Sequence, residues 1–130
     1  MGLQERRKVQ ELKDMTLPER SREIAEICGK AIAYEVDWPS IENDAAALNF
    51  LDNLSCHRLN MALRTICMDE MGREAVRDSL QLVRLRNVAE PSQRHIAMQG
   101  GVLDMHCAYA RGTEGMHSDG AIREVLMAAL

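Results

Sequence analysis

From Ser40 to Met71 the chain contains neither glycine nor proline, the longest such interval in its 130 residues. Ser40 or Asp44 can cap a helix at its start, because a short side-chain oxygen accepts an N–H group that the first helical turn leaves without a partner. Plotted at about 100° per residue, Ala47, Leu48, Phe50, Leu51, Leu54, Leu59, Met61, Ala62, Leu63 and Ile66 cover more than half of the circumference. So wide an apolar arc packs against more than one neighbour, and the segment is expected to be the long central helix of the fold.

Other helices are placed around it. Residues 1–15 carry only Val9 and Leu12 as an apolar pair and are read as a loosely docked helical arm on a single domain spanning 1–130. Thr16-Leu17-Pro18-Glu19 matches a capping box and predicts a helix start. Its stripe of Ile24, Ile27, Cys28 and Ala31 runs on until Trp38-Pro39, where proline biases the preceding residue away from helix. Gly72 is read as a break, followed by a short helix from Arg73 to Leu80.

The period then changes. Leu82 to Val88 alternates as a half-buried strand, and Ala89 to Arg94 reads as a loop. Gly100-Gly101 suits the positive φ angles of a two-residue hairpin turn. With that turn, Met98 lies opposite Leu103 and Ile96 opposite Met105 on one face, and His95 opposite His106 and Ala97 opposite Asp104 on the other. Ser118 or Asp119 caps a last helix whose Ile122, Val125, Leu126 and Ala129 face the core. The expectation is an α+β fold in which N-terminal helices, a three-stranded antiparallel meander and a C-terminal helix pack on one face of the sheet.

Composition excludes several classes. The net charge is −4 with basic residues dispersed among acids, so nothing resembles a nucleic-acid footprint. The charged N-terminus is followed by no apolar run, and no run approaches the roughly 20 residues of a membrane span, so the cytoplasm is the expected address. Cys28, Cys56, Cys67 and Cys107 form neither a C-x-x-C motif nor a zinc-ligand pattern and read as reduced core thiols. Cys56-His57 is no dyad, because adjacent helical residues point about 100° apart.

Two polar clusters remain. Asn49, Asn53, His57, Asn60 and Arg64 recur at steps of three or four on the central helix, a nearly uncharged row of donors and acceptors suited to a polar ligand, a peptide backbone or a buried network. Arg58 projects from the apolar arc and requires a partner, with Asp69, Asp78 or a helix C-terminal carbonyl as candidates. On the hairpin, cross-strand His95 and His106 could share a metal ion, with Asp104 as a third ligand and His117 completing the set. The loop from Gly112 to Gly120 lacks the lysine and hydroxyl of a phosphate loop and reads as turn chemistry.

Low aromatic content, 3%, argues against a deep stacking pocket. The sequence therefore favours a non-enzymatic binding or adaptor module of the bacterial-accessory type, using the Asn/His/Arg helix face or the outer sheet face on a protein partner or a second copy, with no cofactor. The alternative is a small-ligand or metal-dependent enzyme centred on His95, Asp104 and His106.

Overall fold

In the computed structural model, which describes residues 2–130, helices and strands follow one another in an α+β order. The order is α1 (Leu3–Glu11), α2 (Leu17–Cys28), β1 (Ala33–Val36), α3 (Trp38–Ile41), α4 (Ala45–Leu51), α5 (His57–Ile66), α6 (Glu70–Ser79), β2 (Leu82–Asn87), β3 (His95–Gln99), β4 (Val102–Cys107) and α7 (Asp119–Ala129). No helix of the described residues is long and apolar enough to cross a membrane.

The helix start expected at Thr16 is absent. Thr16 is itself helical (φ −68°, ψ −52°) and caps nothing, and a π-helical turn, Leu12–Thr16, joins α1 to α2. Pro18 supplies the reason: it has no N–H for the Asp14 carbonyl and its ring crowds that oxygen, so the turn widens and the Leu17 N–H reaches back to Leu12 O. Val9 and Leu12, the apolar pair of the arm, are both buried, while Leu3 and Met15 are exposed.

The helix that follows ends at Cys28, well before Pro39. Gly29 takes φ +84° and donates its N–H to Ala25 O at 2.8 Å, closing α2 at Cys28. The chain then forms a strand absent from the expected layout, β1, in which Tyr34 and Val36 are buried while Ala33 and Glu35 are exposed.

The central helix is divided. Asp44 caps α4 by accepting from Ala47 N at 3.0 Å, and a second π-helical turn, Asp52–Cys56, links α4 to α5. There the His57 N–H reaches Asp52 O, and the Ser55 hydroxyl donates to Leu51 O. The break comes at Cys67–Asp69 and not at Gly72, because Asp69 caps α6 by accepting from Gly72 N at 2.8 Å. A Cβ on Gly72 would lie 1.7 Å from Ile66 O, so the glycine permits the close turn between α5 and α6.

The sheet has four strands in the order β1-β2-β4-β3, with β1, β2 and β4 parallel and β3 antiparallel to β4. The hairpin register is the expected one: Gly100 and Gly101 take φ +60° and +82°, and His95 faces His106, Ala97 faces Asp104 and Met98 faces Leu103. The three-stranded antiparallel meander is not. β2 does not pair with β3; residues 88–94 carry the chain past one strand position, and the hairpin folds β4 back between them. Alternation along a strand identifies its core face but is the same for either neighbour and either direction, so it could not distinguish these arrangements.

All helices serve one side. Val83, Leu85, Leu103, Met105 and Cys107 are buried beneath them and join Ile24, Leu48, Leu51, Leu59, Leu63, Ile122 and Leu126 in one hydrophobic cluster. Ser118 caps α7 as expected, although Ala129 is exposed.

Candidate functional site

The second π-turn decides the fate of the Asn/His/Arg row. One extra residue in the turn rotates everything after it by about 100° relative to an uninterrupted α-helix. Asn49, Asn53, His57 and Arg64 remain exposed, but Asn60 turns inward to 1% exposure and Met61, expected in the core, takes its place outside at 42%.

Asn60 joins a structural network. The Tyr34 hydroxyl donates to Asn60 Oδ1 at 2.7 Å, and Asn60 Nδ2 donates to Glu23 Oε1 at 2.6 Å and to Arg20 O at 3.2 Å. Arg20 bridges onward with Nε and Nη2 on the two Asp52 oxygens at 2.8 and 3.1 Å, and Arg64 lies 3.6 Å from Glu23. Burial works against the Glu23 carboxylate, but the donors Asn60 and Arg20 outweigh it and hold its pKa below the ordinary value. This network binds α2, the α4–α5 helix and β1 together. The row thus divides into one buried strut and a four-residue exposed face.

Arg58 is partnered by none of the three expected groups but by the carbonyl of His117, in the loop before α7, at 3.2 Å. Arg94 takes Met116 O at 2.7 Å, and His117 Nε2 lies 3.1 and 3.2 Å from the His95 and His106 carbonyls. The loop before α7 is therefore held through its own backbone acceptors by two arginines and pinned by a histidine to the hairpin.

The other face of the sheet is bare. Strand by strand it presents Glu35 and Asp37 beside β1, Arg84 and Arg86 on β2, Asp104 and His106 on β4, and His95 and Ala97 on β3. Arg84 Nε meets Glu35 Oε1 at 3.1 Å and Arg86 Nε meets Asp37 Oδ2 at 3.6 Å, yet all four side chains stay between 40% and 58% exposed. Charge alternates in columns: acidic, basic, then acidic with histidine. At the C-terminal ends of the parallel strands these columns line a shallow depression with Trp38 and Pro39 at its border.

No family model, curated protein or solved structure matches this chain. Function is to be read from its own residues.

His95 and His106 meet on this face with ring centroids 5.2 Å apart at a 59° tilt. Burial and the neighbouring His95 lower the His106 pKa, favouring the neutral ring that a metal requires. Asp104 is paired in register with Ala97, His117 is engaged with backbone carbonyls, and among the described residues no three His, Cys, Asp or Glu groups are placed to hold one metal ion. All four cysteines are buried; desolvation pushes the Cys107 thiol up to about 11 and those of Cys28 and Cys56 higher still, the reverse of what a thiolate nucleophile needs.

Sequence reasoning found the outer face of the hairpin and missed the β1 side of the same surface. The signal was present in Ile32, Tyr34 and Val36, apolar at every second position just after Gly29.

Proposed function

We propose that this protein is a non-enzymatic protein-binding module that engages its partner through the bare face of the sheet. One observation carries the reading. Parallel strands are ordinarily covered on both faces, whereas β1, β2 and β4 are parallel and have helices on one face only. The uncovered face is mixed in sign, which suits a folded protein surface with complementary charges better than the uniformly negative surface of a nucleic acid. Asn49, Asn53, His57 and Arg64 form a second, smaller candidate surface on the helical side.

Affinity capture from the protein's own source, repeated with the pair Arg84→Glu and Arg86→Glu and with the pair Asn53→Ala and His57→Ala, separates the two. A protein held by the wild type and by the helix variant, but lost by the sheet variant, is the expected result. A partner lost only by the helix variant moves the site there, and one indifferent to both overturns the reading.

The second reading, a metal-dependent enzyme at His95, Asp104 and His106, is supported by the close histidine pair and by the neutral form favoured for His106. A stoichiometric ion in protein purified without added metal, lost on His106→Ala, would establish the metal site this reading needs; metal-free protein would remove it.

A further inference from the structure

Beside the bare face, β1 leaves its outer edge unpaired. The Asp37 N–H donates to Leu85 O at 2.9 Å, which in this parallel register turns the backbone groups of Ala33 and Glu35 toward β2 and those of Tyr34 and Val36 outward. Among the described residues, neither the N–H nor the C=O of Tyr34 or Val36 has a hydrogen-bond partner. Exposed edges are commonly blunted by a lysine, a proline, a bulge or a covering segment. β1 is regular in register and reads Ala-Tyr-Glu-Val, with no lysine or proline. A groove of about 550 Å³ follows this edge, walled by Lys13, Leu17, Pro18, Ser21 and Trp38.

Charge indicates what fits there. Sign alternates from strand to strand across the bare face, and the outermost column, Glu35 with Asp37, is acidic. The next column outward, on whatever pairs with β1, is complementary if basic. We propose that the outer edge of β1 accepts an extended segment of a partner protein as a fifth strand, its apolar side chains turned into the Leu17–Trp38 groove and alternating with Lys or Arg over Glu35 and Asp37. The proposal rests on the protein-binding reading above and specifies the backbone conformation and charge of the segment recognised. A second copy fits less well: β1 contains no base, and antiparallel pairing about Glu35 would set that acid against its own copy.

The test uses short peptides of alternating Val and Lys, the same peptides with Glu for Lys, and two N-methylated forms of the Lys peptide, one methylated on its Val amides and one on its Lys amides. Binding is followed by fluorescence anisotropy and by amide exchange of Tyr34 and Val36. The Lys peptide is expected to bind about tenfold more tightly than the Glu peptide and to slow both amides. Exactly one methylated form should lose binding, because only one alternate set of amides faces β1, and Glu35→Lys, which leaves Asp37 beside a new base, should abolish the preference for Lys over Glu. The proposal is overturned if no peptide slows the Tyr34 and Val36 amides, or if both methylated forms bind like their parent. It is also overturned by a dimer of the free protein that Val36→Pro disperses, which would assign the edge to a second copy. If capture still depends on Arg84 and Arg86 while the peptides leave β1 untouched, the edge proposal alone fails.

Discussion

Asn60 shows how far a single side chain can be read from sequence. Its residue type and spacing marked it as part of a polar row, and a buried network was among the roles such a row could serve; what the spacing could not supply was the extra residue of the Asp52–Cys56 turn that directs it inward. Removing its amide takes the closest partner from the Tyr34 hydroxyl, which keeps only Cys56 O at 3.3 Å, and one donor from Glu23, which keeps Arg20. Asn60→Ala should therefore destabilise the protein by about 1–3 kcal/mol in urea unfolding, whereas exposed Asn53→Ala should stay within about 0.5 kcal/mol. Equal effects would show that the two asparagines share one environment. His106 and His117 give a pH dependence of definite sign. Burial is the first cause in both and lowers their pKa below the unfolded value of 6.5. The unfolded chain therefore binds more protons: the stability contributed by the neutral rings is complete above about pH 6.5 and is lost as the pH falls from there through the lowered folded values. His117→Gln, which keeps a donor for the two carbonyls but does not titrate, should flatten the slope of unfolding free energy as the pH falls below about 6.5. An unchanged slope would locate the titration elsewhere.

At the scale of elements, legibility followed local chemistry. The caps at Asp44 and Ser118 and the Gly100-Gly101 turn are written in side chains within a few residues of where they act, and the hairpin register follows from the turn alone. The two turn glycines should nevertheless differ. A Cβ at Gly100 meets nothing within 4 Å, while one at Gly101 lies 2.9 Å from Gln81 Cγ and 3.2 Å from Ser79 O. Gly100→Ala is expected to cost about 1 kcal/mol for its positive φ, and Gly101→Ala to cost at least about 1 kcal/mol more, measured by thermal or urea unfolding. Equal costs would contradict the close approach of the hairpin to the α6–β2 junction. The elements that were misjudged depend on distant or absent groups. Pro18 opens a turn instead of starting a helix because the residues before it are already helical, and the parallel pairing of β2 with β4 is fixed by the return path of the chain, to which side-chain alternation is blind.

For the whole molecule, the α+β class and the one-sided placement of helices were readable, since a run of helices followed by alternating strands permits few layer arrangements. The strand order was not, and it matters for function. An antiparallel meander with one wet face would be ordinary, whereas three parallel strands with a bare, charge-striped face constitute an unfilled layer. The same arrangement places β1 at the edge and adds Glu35 and Asp37 to the hairpin's His95, Asp104 and His106, giving a surface that spans all four strands. Carboxyl footprinting of the protein with and without its captured partner tests this most directly. Glu35, Asp37 and Asp104 should lose labelling in the complex while the exposed helical acids Glu74 and Glu124 keep theirs; protection of Glu74 or Glu124 with the three sheet-face acids still labelled would contradict the account.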